Sequence, residues 1–118
     1  MIMSSDLTKN LTQPEIYQRL QVDSEKLKQF CQSNLIAELA VFGSILRDDF
    51  SSNSDVDVLI TYLPDAPRGL LEKVQLKDKF ENLFRRPVDL ISKTSIENSY
   101  NWIKRSSILN SCEVLYRA

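Results

Sequence analysis

Residues 41–60 have the sequence VFGSILRDDFSSNSDVDVLI, and this stretch decides the fold. An apolar run that ends before Gly43 predicts a strand, and apolar residues alternating with aspartates from Asp55 onward predict another. Because side chains alternate between the faces of a strand, Asp55 and Asp57 are expected on one face and Val56 on the other. Two neighbouring carboxylates repel each other unless they share a cation, which favours a hard divalent ion such as Mg²⁺.

A second acidic strand is predicted near residue 90. In Val88-Asp-Leu-Ile, the apolar side chains are expected in one layer and Asp89 on the opposite face. If the two strands pair, Asp89 joins Asp55 and Asp57 as a third carboxylate. Three carboxylates on a rigid sheet suit two-metal phosphoryl or nucleotidyl transfer, and the third can also act as a general base.

Gly43 and Ser44 predict a phosphate-binding turn at the end of the first strand. Glycine lets the backbone approach a phosphate closely, and the serine hydroxyl and nearby N–H groups can donate hydrogen bonds to its oxygens. A simple strand-to-helix turn capped by serine is the alternative, and both can hold together. Arg47, one helical turn on, has two interpretations of equal weight: a contact with a triphosphate or a surface salt bridge.

Helices and strands are predicted to alternate along the rest of the chain. Helices are predicted after caps at Thr12 and at Asp23 or Ser24, over 68–84, and from a capping box at Thr94; strands are predicted over 35–42, 55–62, 87–92 and 112–116. This order predicts a single α/β or α+β domain over 12–118 after a flexible N-terminus over 1–11. The helix over 68–84 is expected to bury a stripe that includes Leu70 and Val74, and the helix from Thr94 to bury Ile96, Tyr100 and Ile103.

Composition narrows the classes of function. The chain has 118 residues, of which 42% are hydrophobic and 26% charged, as is typical of one globular domain. The absence of histidine excludes Ser-His-Asp and Cys-His nucleophilic sites, histidine zinc sites and imidazole bases. The net charge of −1 gives no general reason to expect direct nucleic-acid binding. Cys31 and Cys112 match no zinc or redox spacing and are expected to be small buried hydrophobes.

Charge is unevenly distributed along the chain. Residues 1–65 carry five basic and ten acidic side chains, whereas residues 66–118 carry ten and six. The pairs Arg85-Arg86 and Lys104-Arg105 are expected on solvated faces, with contact to nucleotide or partner as the alternative. No segment resembles a signal peptide or approaches a membrane span, so a cytoplasmic location without membrane contact is expected. Tyr100 and Trp102 are expected in the core or as partner-facing anchors.

The pattern Gly-Ser, ten residues, then Asp-x-Asp over 43–57 resembles the signature of the DNA polymerase β-like nucleotidyltransferase superfamily. The short length, Arg47 and the later Asp89 are similar to its minimal nucleotidyltransferase (MNT) branch, and the resemblance runs from about residue 35 to 116. One departure lies after the arginine, where many relatives have glycine and this chain has Asp48.

The resemblance implies a mixed, mostly antiparallel sheet with helices packed against it, with ATP and Mg²⁺ as ligands. Members of this branch act as antitoxins that transfer AMP to a tyrosine of a HEPN toxin, an all-helical RNase. The residues implied are Asp55, Asp57 and Asp89 as catalytic metal ligands, and Gly43 and Ser44 at the nucleotide phosphates.

Three functions follow, with AMP transfer from ATP to a protein hydroxyl by two Mg²⁺ ions as the leading one. Nucleotidyl transfer to a small molecule ranks lower, because the chain has no room for an added acceptor-binding domain. A module that neutralises a partner by contact alone is disfavoured, because three clustered acids are costly to keep without a metal. The acceptor, the preferred nucleotide and the oligomeric state, a homodimer included, stay open.

Overall fold

The computed structural model describes residues 11–118, so the predicted flexible N-terminus lies outside the described residues as far as residue 10. Leu11 packs against the core. Within 11–118 no helix is long and apolar enough to cross a membrane. The elements in chain order are α1 (Gln13–Leu20), α2 (Ser24–Ser33), β1 (Ile36–Phe42), a 3-10 turn (Gly43–Leu46), β2 (Val56–Tyr62), α3 (Leu70–Phe84), β3 (Val88–Ser92), α4 (Lys93–Glu97), α5 (Trp102–Ser111) and β4 (Glu113–Arg117).

The four strands form one sheet in the order β3-β2-β1-β4. Strand β1 is antiparallel to both β2 and β4, whereas β2 and β3 are parallel. A parallel pair needs a long crossover connection, and α3 is part of the one between β2 and β3. The predicted mixed, mostly antiparallel sheet with helices packed against it is confirmed.

The sheet is covered on both faces, which explains why β2 is almost continuously apolar. Val56, Val58 and Ile60 belong to the larger core, to which α1, α2 and α3 contribute. Leu59 belongs to a smaller core that includes Ile96 of α4 and Ile108 of α5. Because side chains alternate along β2, Asp57 shares the face of Leu59.

The region after β3 differs from its prediction. Ser92, not Thr94, caps the helix: its hydroxyl accepts a hydrogen bond from the Ser95 N–H at 3.2 Å, so α4 begins one residue before Thr94. It ends at Glu97, and Asn101 caps a separate helix, α5. The predicted stripe of Ile96, Tyr100 and Ile103 is therefore wrong, since Ile96 is buried but Tyr100 and Ile103 are exposed.

Two further predictions of buried side chains, in α5 and in α3, are partly wrong. Trp102 is 64% exposed and Tyr100 fully so, which excludes the core interpretation of these aromatics. Helix α3 starts at Leu70, and its first turns are exposed at Leu70 and Val74. Burial in α3 is confined to Leu76, Phe80 and Phe84, because α3 packs on β3.

Candidate active site

Two aspartates of neighbouring strands are in register. Asp57 is the pairing partner of Asp89 in the parallel β2–β3 ladder, one position after the Val56–Val88 pair. Val56 and Val88 are buried in the larger core, so the two aspartates project from the other face. Asp57 is half-buried and Asp89 is exposed. The sheet therefore brings together two carboxylates that lie 32 residues apart in sequence.

Asp55 reaches the same end of the sheet in a different way. Strand β2 begins at Val56, one residue later than predicted, so Asp55 lies in the preceding loop and is exposed. Its backbone carbonyl accepts a hydrogen bond of 3.4 Å from the Ser44 hydroxyl. The loop and the 3-10 turn, not the pleat of the strand, set the place of this carboxylate.

The Asp57 carboxyl is partly buried and lies among charged groups. Burial raises the pKa of the Asp57 carboxyl, the nearby charges of Asp89 and Asp55 raise it further, and the Arg47 guanidinium lowers it. Within residues 11–118 none of the three aspartates forms a salt bridge. The site has an excess of negative charge that a cation would relieve.

The donor set fits Mg²⁺, although not as a closed protein cage. In the described part of the chain, no three Asp, Glu or Cys side chains are arranged to hold a metal ion by themselves. Mg²⁺ usually takes only one or two carboxylates and keeps waters and substrate phosphates as its other ligands. Asp57 and Asp89 can supply the protein's share of such a site.

Gly43 is fixed by the close approach of Asp57. Its φ of +76° lies in the left-handed region, and a Cβ atom there would overlap the Oδ2 atom of Asp57 and come within 3.1 Å of its Cγ. The preceding residue, Phe42, pairs with Asp57 across the β1–β2 ladder. Glycine at this position thus leaves room for the Asp57 carboxylate. The close approach of a phosphate to this backbone, which the sequence predicts, stays a prediction.

Arg47 forms a surface salt bridge. Its Nε lies 3.2 Å from Asp49 Oδ1, and the two side chains are 60% and 67% exposed. Such exposed pairs add little stability. The partner of Arg47 is thus one of the two acidic residues that follow it, where the chain departs from the family pattern. The contact of Arg47 with a triphosphate stays a prediction.

An open cleft of about 540 Å³ lies beside Gly43. Gly43, Leu46 and Arg47 line one side, and residues 110–113, which join α5 to β4, line the other. Sequence reasoning missed this second wall because no motif marks it; only the pairing of β4 with β1 brings it here. A smaller cavity of about 170 Å³ lies at the opposite end of the sheet, near Leu35 and Tyr62.

Two arginines that were not predicted as site residues form hydrogen bonds with the backbone before Asp55. Arg86 donates from Nη1 to the carbonyls of Ser51 and Ser54, at 3.0 and 2.8 Å. Arg19 of α1 donates to the carbonyls of Ile45 and Arg47, at 2.8 and 2.5 Å. The prediction of a solvated face is therefore wrong for Arg86, which is partly buried, and right for its neighbour Arg85, which is exposed.

Comparison with known proteins finds a family model and a relative that are similar in sequence. Residues 24–115 match the family model of the nucleotidyltransferase domain. A protein of Methanocaldococcus jannaschii to which protein adenylyltransferase activity is ascribed is 35% identical over 95 residues, which cover 80% of this chain and 90% of that protein.

Solved structures share the fold at low sequence identity. A chain of a toxin–antitoxin complex with AMP-PNP superposes with a TM-score of 0.62 and 15% identity, over 82% of this chain and 75% of that one. A chain of the complex between a tri-AMPylated Shewanella oneidensis HEPN toxin and its MNT antitoxin gives 0.56 and 15%, over 84% and 73%.

The two glycines of the chain offer a matched test of the requirement for glycine at position 43. We expect Gly43→Ser to lower the free energy of unfolding by about 1–2 kcal/mol from the left-handed backbone alone, with an added cost for displacing Asp57. Gly69→Ser should be nearly neutral, because Gly69 caps α3 at φ −68°, where serine is favoured. Urea unfolding of both variants measures the difference, and equal effects would contradict the requirement for glycine at position 43.

Proposed function

This chain belongs to the nucleotidyltransferase domain family, and we propose that it transfers AMP from ATP to a tyrosine hydroxyl of a HEPN toxin and so acts as its antitoxin. The observation that carries the proposal is the register pair of Asp57 and Asp89 beside Gly43. The relative with ascribed adenylyltransferase activity and the fold shared with an MNT antitoxin complex, whose toxin carries AMP, support the acceptor class.

Each residue of the site has a role in the proposed reaction. Gly43 and Ser44 bind the triphosphate through the backbone and the serine hydroxyl, and Arg47 can turn from Asp49 toward it. Asp55, Asp57 and Asp89 would hold two Mg²⁺ ions together with waters and the phosphates themselves, and the ions would supply positive charge to the phosphates and to the entering and leaving oxygens.

The transfer itself exchanges one P–O bond for another. The tyrosine oxygen forms a bond to the α-phosphorus of ATP, the bond from that phosphorus to the pyrophosphate oxygen breaks, and pyrophosphate leaves. Asp89 is the exposed member of the register pair, so it is the carboxylate placed to accept the proton of the incoming hydroxyl. The products are the tyrosine–AMP ester and pyrophosphate.

Removal of one carboxylate tests this reaction. We expect Asp57→Asn and Asp89→Asn each to abolish the gain of AMP mass on a co-encoded HEPN partner incubated with Mg²⁺ and ATP, while Asp78→Asn, an exposed aspartate of α3, leaves it unchanged. Because Asp55 and Asp89 repel the Asp57 carboxylate, Asp57→Asn should also be at least as stable as the native chain without metal.

The outcomes separate the three functions. AMP on a partner tyrosine that depends on Asp57 supports the proposal. A stable complex that neutralises the toxin, with no AMP on the partner for either the native chain or the aspartate variants, would show an antitoxin that acts by contact alone. Transfer to a small hydroxyl compound but never to the partner would show the small-molecule function instead.

An exposed aromatic surface at the start of α5 is proposed as the toxin contact. Tyr100 is fully exposed, and Trp102 and Ile103 are each 64% exposed. Trp and Tyr are the residues most enriched among interface anchors, whereas Leu and Val are under-represented. This distinguishes the aromatic surface from the exposed apolar turns of α3.

Trp102→Ala tests this surface. We expect it to weaken binding of the HEPN partner by about 10–30-fold, as loss of an interface anchor does. Leu71→Ala is the matched control, since Leu71 is 65% exposed on α3 and should leave the affinity within about 2-fold of the native value. Calorimetric titration measures both, and equal losses would contradict the assignment of the aromatic surface.

A further inference from the structure

We propose that Arg86, together with Arg19, is a positioning residue that fixes the 47–54 loop and thereby sets the place of Asp55. The catalytic consequence rests on the proposed function, whereas the fixing of the loop does not. Neither arginine belongs to the motif that identifies the family, and their side chains contact the loop rather than the carboxylates.

The 47–54 loop needs an external hold. It contains no helix or strand, and residues 47–49 and 51–53 are exposed. Its own hydrogen bonds form a tight turn, in which the Ser54 N–H donates to the Ser51 carbonyl at 3.1 Å and the Ser51 N–H to the Ser54 hydroxyl at 3.0 Å. These bonds shape the turn but do not attach it to the rest of the domain.

Phe50 is the apolar anchor of this loop. It is partly buried and packs against the larger core. The Cζ atoms of Arg86 and Arg19 lie 4.5 and 5.4 Å from the centroid of its ring, within the range of cation–π attraction. One ring thus links the loop to two separate parts of the chain, helix α1 and the connection between α3 and β3.

The contacts of Arg86 converge on the residues that flank Asp55. The Arg86 side chain holds the Ser54 carbonyl, and the carbonyl of the next residue, Pro87, accepts the Val56 N–H at 3.0 Å. The Ser44 hydroxyl holds the carbonyl of Asp55 itself. The backbone is therefore fixed at three consecutive residues, from the last residue of the loop to the first of β2, and Arg86 itself lies only three positions before Asp89.

The contact depends on the shape of the guanidinium group more than on its charge. Arg86 donates to two carbonyls and lies over a ring, and it forms no salt bridge with any residue of the described part of the chain. A planar guanidinium can hold this geometry in a way that a lysine ammonium, a compact point charge, cannot. Lysine at this position would preserve the charge and lose the paired hydrogen bonds and the stacking on the ring.

Hydrogen exchange without ATP or partner tests the hold directly. We expect amides of residues 51–55 to exchange at least about 10-fold faster in Arg86→Met and Arg86→Lys than in the native chain. Arg85→Met is the matched control, because Arg85 is the adjacent exposed arginine, and its exchange should be unchanged. Unchanged exchange in Arg86→Met, or native exchange in Arg86→Lys, would overturn the proposal; if Arg86→Met does not fold, Arg86→Lys decides.

Kinetics test the consequence for Asp55. With the HEPN partner as acceptor, both Arg86 variants should lower kcat by about 10–100-fold and change the KM for ATP by less than about 3-fold, since Gly43 is not displaced. A loss confined to KM would overturn the positioning role. If the native chain transfers no AMP at all, the proposed function fails, and the exchange experiment still decides whether Arg86 fixes the loop.

Discussion

The parallel pairing of β2 with β3 sets two carboxylates side by side, and their repulsion is the constraint around which the rest of the structure is arranged. Asp57 lies half-buried opposite Asp89, and this burial and the neighbouring charges raise the pKa of its carboxyl. Gly43 is shaped by the same group, because any side chain there would overlap it. The site is thus costly in the absence of a cation, and relief of that cost is why we propose a metal-bound triphosphate as its ligand.

The β2–β3 register that pairs Asp57 with Asp89 is stabilised by residues outside the site. Val56, Val58 and Ile60 are fully or almost fully buried in the larger core, so a slip of one residue would take them out of that core and put Asp57 into it. The start of β3 is held by Glu81, whose carboxylate accepts the Val88 N–H at 3.0 Å and pairs with Lys77 at 3.1 Å. These two contacts hold the pKa of Glu81 below its ordinary value.

Local patterns predicted what depends on local sequence. The strands, the Thr12 capping box and the pairing of Asp57 with Asp89 followed from alternation and spacing, and the structure bears out each of them, whereas Asp55 lies in the loop before β2 and not on the strand. Contacts between distant segments could not be predicted, because nothing in Arg86 distinguishes it from Arg85 until the loop folds onto it. The same holds for the cleft wall at 110–113 and for the exposure of Tyr100, which depends on where Asn101 restarts the helix.

The most direct test of the account is the anomalous diffraction of Mn²⁺ in crystals of the chain with a non-hydrolysable ATP analogue. A metal site formed with these carboxylates predicts Mn²⁺ peaks beside Asp57, Asp89 and the triphosphate, with the phosphates against Gly43 and Ser44. Mn²⁺ bound elsewhere with these carboxylates free, or a triphosphate seated away from the 3-10 turn, would contradict it.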